Sequence, residues 1–342
     1  MELLQKESIQ ALKTLVGNAS KVVVAGHTHP DGDALGCTSA LALYLQAFCH
    51  KDVTCVFSDY PADSLLFILP QKVPFLFLDR EAEKTLQRIG EADLIFLLDC
   101  NGFPRTEGLQ DALKASKAPK VLIDHHLNPD REAFDLVFST PDISSASELL
   151  YWILKALNDG QPLPAETGSP LLTGMTTDTN NFANSVYPST FRMASELIET
   201  GVDRDAVLQQ IYNNYRENRV RLMGYLQNEE MHLLPCGAAY IILDRETQQR
   251  FDFRKGETEG LVNIPLTIGR VRLSIFLKED DGHFRVSVRS KKGTSAQQLA
   301  QRFFHGGGHE NASGGKLLIG EDIASAQDAA AYVENALNSF LA

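Results

Sequence analysis

The first half of the chain alternates short, uninterrupted apolar runs with longer segments of helical character. Residues 21–26, 52–58, 75–78, 93–98 and 120–123 form such runs, and residues 34–48 read as a helix between the first two. Strands buried on both faces carry continuous apolar runs, so this alternation predicts a parallel sheet covered by helices on both sides. Ser144, Ser145 and Ser147 offer N-caps for a helix over 149–157, and a further helix is expected over 171–177. Pro188 starts another, Gly201 stops it, and the chain restarts at 202–205. Residues 206–227 keep helical spacing with few breakers and predict one long helix. From residue 238 strands and turns take over: strands at 239–243, 272–277 and 284–288, helices at 296–304 and 323–341. Asp280-Asp281-Gly282 makes a hairpin turn between two of the strands. The expected fold is α/β: a helix-flanked parallel sheet in residues 1–200, a helical linker over 201–230, and a smaller mixed α/β domain over 231–342.

Length agrees with that division, since 342 residues exceed one comfortable core and 44% hydrophobic content fills two. Residues 1–8 read as the start of an amphipathic helix rather than a signal peptide, and no apolar run reaches membrane-spanning length. Cys37, Cys49, Cys55, Cys100 and Cys236 are odd in number and form no Cys-x-x-Cys pair, which suits reduced thiols. Cys37 and Cys100 lie close in sequence to the charged positions below, which leaves a redox or ligand role beside simple packing. These features point to the cytoplasm. A net charge of −12 argues against long duplexes, which are held through extended basic surfaces.

The ends of the runs carry the chemistry. His27, Asp31 and Asp33 follow the first, Asp99 closes the fourth, Asp124-His125-His126 closes the fifth, and Asp178 ends the helix over 171–177. Open parallel sheets place active sites at those strand ends. Taken singly, each carboxylate could cap a helix and each histidine could be a core or surface residue. Together, imidazole with several carboxylates suits manganese, magnesium or iron better than the thiolate sets of structural zinc. Two such cations roughly 3.5–4 Å apart activate water and clamp a phosphoryl oxygen, and a bridging carboxylate is then needed. Asp99, on the middle motif, is the candidate bridge.

In this order and spacing the four segments resemble the DHH phosphoesterase superfamily: His27 to Asp33, Asp99, the triplet Asp124-His125-His126, and Gly174 to Thr179. Arg289-Ser290-Lys291-Lys292-Gly293 and Gly306-Gly307-Gly308-His309 resemble its associated substrate domain of the first type. The resemblance implies two Mn2+ ions, with Mg2+ or another divalent ion as substitutes, held by His27, Asp31, Asp33, Asp99, His125 and Asp178. Asp99, Asp124 and His126 would serve catalysis, His126 by touching the scissile phosphate or protonating the leaving group. Arg289, Ser290, Gly306, Gly307, Gly308 and His309 would bind substrate. It points to the branch of short-oligoribonucleotide exonucleases (nanoRNases) that also dephosphorylate adenosine bisphosphate (pAp), with short RNA and pAp as substrates and a homodimer as an open possibility. Hydrolysis of pApA, polyphosphate or pyrophosphate is the enzymatic alternative. A nucleotide-sensing regulatory protein is the non-enzymatic one, and it predicts a missing ligand where all six are present.

Two features of the second domain bear on substrate without the resemblance. Arg285, Ser287 and Arg289 alternate with Val286 and Val288, giving one strand a cationic face that could equally be ordinary solvated surface. The glycines of 305–309 could form an anion-binding nest of backbone amides or a tight turn. Thr294-Ser295-Ala296 stands where many members of the family carry an acidic residue, which bears on substrate preference.

Overall fold

The computed structural model describes residues 4–341; part of the predicted N-terminal helix start and Ala342 lie outside them. Two compact units divide between Asn214 and Tyr215. In the first, β1 (Lys21–Ala25), β2 (Asp52–Phe57), β3 (Phe75–Phe77), β4 (Leu94–Leu98), β5 (Lys120–Asp124) and β6 (Leu136–Ser139) form one sheet in the order β3-β2-β1-β4-β5-β6. All five pairings are parallel. The centre is apolar on both faces: Val22, Val24, Leu94, Phe96 and Ile123 pack into one core, and Val23, Ile95, Leu97 and Leu122 into another. The expected α/β architecture is therefore present, with β6 as a short added edge.

Strand order reverses between β1 and β4, and the switch point of an open parallel sheet is where a crevice opens at the strand ends. Ala25 pairs with Leu97 and Leu98 with Ile123. That register sets His27 beside Asp99 and Asp99 beside Asp124.

Two helices deliver the remaining carboxylates. Gly32–Cys49 is buried almost throughout its first four turns, which explains its run of alanines, glycines and small polar residues. It crosses Ala165–Asp178 at backbone contact. A Cβ on Gly36 would stand 2.5 Å from the Pro170 carbonyl oxygen and 3.0 Å from the Gly174 backbone, and one on Gly32 would stand 2.3 Å from the Thr177 hydroxyl. The glycines are thus demanded by helix–helix approach.

In the second unit β7 (Met231–Leu233), β8 (Ala238–Leu243), β9 (Leu273–Asp280), β10 (His283–Ser290), β11 (Gly307–His309) and β12 (Ala312–Leu318) form a mixed sheet ordered β11-β12-β10-β9-β8-β7. Only β8 and β9 run parallel. Helices Ala296–Phe303 and Ala329–Leu341 cover one face through Leu299, Val333 and Leu337. Leu222 and Leu226 of Glu217–Asn228 cover Ile241, Leu243 and Phe276 on the other.

Three expectations change. Residues 206–227 form two helices, Arg204–Tyr212 and Glu217–Asn228. Asn213 and Asn214 are weak helix formers, and Arg216 adopts an extended conformation while its guanidinium binds the Asp252 carbonyl (3.1 Å) and Glu257 (3.0 Å). The last helix starts at Ala329 rather than 323, because Ile323 pairs with Ile319 and Ser325 with Asp328 forms a capping box just before it. The glycine loop is a strand: Gly307, Gly308 and His309 pair with Gly314, Ser313 and Ala312. A Cβ on Gly306 would lie 2.0 Å from the Gly314 carbonyl oxygen, so close packing of backbones accounts for that glycine.

Gly36→Ala tests the helix crossing. Alanine ordinarily gains about 0.5–1 kcal/mol over glycine inside a helix, but here overpacking against rigid backbone should cost about 1–3 kcal/mol. A lowered midpoint in urea unfolding is expected; an unchanged or raised midpoint would show that the two backbones are not in contact.

Candidate metal centre

Asp99 lies at the middle of the strand-end crevice, 2% exposed and with a left-handed backbone (φ 56°) that a non-glycine residue holds only under constraint. Its two oxygens face different groups. Oδ2 is 3.4 Å from His27 Nε2, which is itself 3.7 Å from Asp31 Oδ1. Oδ1 is 3.4 Å from His125 Nε2, which is 3.7 Å from Asp178 Oδ2 and 4.0 Å from Asp33 Oδ2. All six residues expected as ligands are therefore brought together. Ligand atoms of His27, Asp31 and Asp99, and likewise of Asp33, His125 and Asp178, lie within 4.8 Å of one another.

The local structure orients these atoms. His27 Nδ1 is 2.8 Å from the Thr28 carbonyl, which can only accept; Nδ1 therefore carries a proton, and Nε2, whose own proton meets the carboxylates, is the atom left to ligate once that proton is displaced. Asp31 caps the Gly32–Cys49 helix, its Oδ1 accepting from the Asp33 and Ala34 amides at 3.0 Å. Asp33 accepts from the amides of Ala146 (2.7 Å) and Ser147 (3.0 Å) at the start of the Ala146–Leu157 helix. Asp59, after β2, takes the Thr28 hydroxyl and the His29 imidazole at 3.0 and 2.7 Å, holding the first loop where His29 has φ 52°. His29 is thus tied to a carboxylate beside the ligands.

The triplet divides its labour. Asp124 is fully buried, and both its oxygens serve His126, accepting from Nδ1 (2.7 Å) and from the backbone N–H (3.0 Å). Its part is to orient that imidazole. Arg105 Nη1 lies 2.9 Å from His126 Nε2; guanidinium only donates, so Nε2 accepts and Nδ1 holds the proton. Sequence reasoning missed Arg105, a lone cation six residues after Asp99. Its carbonyl also accepts the Thr28 amide at 2.8 Å, tying the first two motifs together.

Charge makes the cluster a cation site. Burial, then the negative charges of Asp99 and Asp178, push Asp33 well above the usual carboxylate range. Burial raises Asp178 to about 6, with Asp99 and Asp31 adding to the shift against the His125 charge. Burial opposes charge on His125, yet Asp99 and its fellow carboxylates outweigh that and raise it to about 10. The same balance holds His27 well above its ordinary value. Asp99 is held well below the carboxylate range, because His125 and His27 together exceed its burial penalty. Asp99 Oδ1 is buried and has no hydrogen-bond partner among the described residues. Such an atom is costly unless something positive meets it, and with imidazole and carboxylate donors on both sides the residues fit hard divalent cations.

The residues expected to bind substrate lie in the second unit. Arg289 pairs with Ala312 and Ala312 with His309, so these side chains share one row and one face across β10, β12 and β11. Arg285 with Lys316, and Ser287 with Gly314 and Gly307, form the neighbouring rows. Burial holds the Arg289 guanidinium below its ordinary value while Nη1 donates to the Val288 carbonyl at 3.0 Å. Ser290 points elsewhere: its hydroxyl donates to the Thr294 carbonyl (2.6 Å) and accepts from Asn311 (3.0 Å), closing the 290–294 turn. Gly306 serves backbone packing, as above, and so does Gly308, where a Cβ would lie 2.8 Å from the Ala312 carbonyl oxygen.

Comparison with known proteins agrees with both units. Residues 21–175 match the DHH family, N-terminal domain, and residues 238–336 match the DHHA1 domain. The chain is 28% identical over 302 residues to the bifunctional oligoribonuclease and PAP phosphatase NrnA of Bacillus subtilis, covering 86% of this chain and 89% of that protein. It is 27% identical to the protein of the same name from Thermus thermophilus, over 90% and 86% of the two chains. The crystal structure of an exopolyphosphatase-related protein from Bacteroides fragilis superposes with a TM-score of 0.91 at 35% identity, covering 98% of this chain and 97% of that one. With both of the family's domains present in order, and its motifs gathered at the switch point of the sheet, the chain belongs to the DHH family of phosphoesterases.

Proposed function

We propose that this protein is a phosphoesterase that uses two divalent cations, manganese foremost, to hydrolyse short oligoribonucleotides to mononucleotides and to dephosphorylate pAp. The observation that carries this reading is the division of Asp99, whose two buried oxygens face two separate sets of imidazole and carboxylate donors. His27, Asp31 and Asp99 would hold one cation, and Asp99, Asp33, His125 and Asp178 the other. The cations supply Lewis acidity toward a phosphoryl oxygen and lower the pKa of water.

The chain's own groups do the rest. His126, with Nδ1 on Asp124 and Nε2 accepting from Arg105, holds that guanidinium beside the centre, and Arg105 offers its positive charge and remaining donors to the phosphate. In the second unit Arg285, Arg289, Lys316 and His309 surround a stretch where Ala312, Gly314 and Gly307 contribute little or no side chain. Such a face suits the phosphate and flat base of one or two nucleotides. The B. subtilis and T. thermophilus relatives, named for oligoribonuclease and PAP phosphatase activity, support this choice within the family. Five unpaired cysteines are consistent with action in the cytoplasm, and among the described residues no helix is long and apolar enough to cross a membrane.

Release of nucleotide and phosphate from a short RNA, pAp, pApA and inorganic polyphosphate, each with manganese, tests the reading. Turnover of RNA and pAp that falls roughly 10²–10³-fold in Asp99→Asn is expected. Polyphosphate as the best substrate would replace the nucleotide reading with a polyphosphatase, and no turnover of any substrate would favour a nucleotide sensor.

Metal affinity should rise with pH. His125 near 10 and Asp178 near 6 must lose protons before they can ligate. Binding at pH 7 therefore releases a proton from His125, and below about pH 6 it must also displace one from Asp178. Manganese titration by calorimetry at pH 6 and 8, in buffers of different ionisation enthalpy, should show tighter binding at pH 8 with proton release. Affinity independent of pH would mean these side chains are not the ligands.

A further inference from the structure

We propose that Glu148 is a positioning residue for one half of the centre, the set formed by Asp33, His125 and Asp178, and not for the half formed by His27, Asp31 and Asp99. The inference rests on the two-cation reading above.

Glu148 is fully buried, yet its partners are neutral donors from three places in the chain. Oε2 accepts from the Ser144 backbone N–H at 3.2 Å, from the Ser144 hydroxyl, and from the Thr190 hydroxyl at 2.7 Å; Oε1 accepts from the Trp152 indole at 3.3 Å. A carboxylate taken out of water is retained only where such bonds satisfy it. What the bonds hold in place is the entry to one helix and the entry to another.

The first entry leads to Asp33. Ser144 precedes Ser145, the N-cap of Ala146–Leu157, whose hydroxyl accepts the Glu148 amide at 3.0 Å. With Ser144 fixed by the Glu148 side chain and Ser145 by its backbone, the next two amides, Ala146 and Ser147, point at Asp33 Oδ2 and Oδ1. Those amides and the positive end of the helix stabilise the charged form of an aspartate that its neighbours push toward the neutral one.

The second entry leads to Asp178. Thr190 donates to Glu148 and accepts the Tyr187 amide at 3.0 Å, which fixes the start of the Pro188–Glu199 helix. Between Asp178, the last residue of its helix, and Tyr187 the backbone takes left-handed φ at Asn180, Asn181, Phe182 and Ser185. Phenylalanine at φ 65° is unfavourable and persists only when both ends of the segment are held. Glu148 anchors the far end.

The other half is supported differently. His27 is oriented by the Thr28 carbonyl, Asp31 by the helix it caps, and Asp99 by its place after β4 with its amide on the Ile123 carbonyl. Glu148 touches none of these.

Glu148→Gln separates positioning from packing. Glutamine keeps the volume and one acceptor, but if its oxygen stays with Trp152 its amide nitrogen confronts the Ser144 N–H, donor against donor. Manganese titrations of wild type, Glu148→Gln and Glu148→Ala, followed by calorimetry and by electron paramagnetic resonance of bound manganese, should find two ions in the wild type. In Glu148→Gln one ion should bind as in the wild type and the other roughly 10–100-fold more weakly. Leu12→Ala, a core change remote from these contacts in sequence, should lower thermal stability while leaving both affinities unchanged, and Glu148→Gln carries the test should Glu148→Ala fail to fold. Two unchanged affinities in Glu148→Gln, or two equally weakened, would overturn the proposal. Fewer than two ions on the wild type would remove the two-cation reading and this inference with it.

Discussion

Two helices crossing closely enough to bring their backbones into contact set the geometry on which the centre depends. Gly36 of Gly32–Cys49 lies against the backbone of Pro170 and Gly174, and Gly32 lies under Thr177. At that separation the start of one helix and the end of the other share a small space, and Asp31, Asp33 and Asp178 project from those ends. Gly174 also makes room for Ser147, since a Cβ there would stand 2.1 Å from the Ser147 hydroxyl and 2.8 Å from Asp33 Oδ1. A third helix start can therefore reach Asp33. Small residues at the crossing thus do for three helices what strand register does for β1, β4 and β5.

Gathering carboxylates at low exposure is unfavourable in itself. The structure meets that cost with protons: His27 and His125 stay charged well above the ordinary imidazole range, and Asp33 and Asp178 are drawn toward neutrality. Asp99, between both imidazoles, is stabilised as an anion, and so is Asp31 beside His27, where the imidazole and the Ala34 amide outweigh burial. A cluster that collects protons in this way suits a divalent cation, whose higher charge can displace them.

The candidate ligands were legible because buried parallel strands write themselves as apolar runs and polar residues at their ends are conspicuous. His27, Asp99 and Asp124-His125-His126 each follow such a run. Asp178 could be placed because it follows the expected helix over 171–177, in the segment Gly174 to Thr179 that resembles the family's fourth motif. Less visible was whatever depends on contact across the chain. Arg105, Asp59 and Glu148 are ordinary charged residues in sequence, and only the fold sets them against His126, the Thr28–His29 loop and Ser144. β6 escaped because a four-residue, half-buried edge leaves little periodicity. In sequence the glycines of 306–308 read as a nest or a tight turn, and it took the pairing of 307–309 with residues 312–314 to show a strand. For the predicted long helix, spacing carried across Asn213 and Asn214 while the Arg216 contacts in the second unit broke the helix there.

Overall charge and local charge point in opposite directions, and the difference bears on substrate size. A net charge of −12 opposes the approach of a long polyanion, and affinity for duplexes grows with the number of phosphates neutralised. Against that background Arg285, Arg289, Lys316 and His309 occupy a face only three strands wide, about 10 Å from first to last at the usual spacing. A patch of that width can neutralise one or two phosphates, and the next cation along the row, Lys278 opposite Arg285 on β9, is already paired with Asp280. On the function proposed above, a preference for short oligonucleotides and mononucleotides would follow from how little positive charge that face offers, with no need for a wall that excludes longer chains.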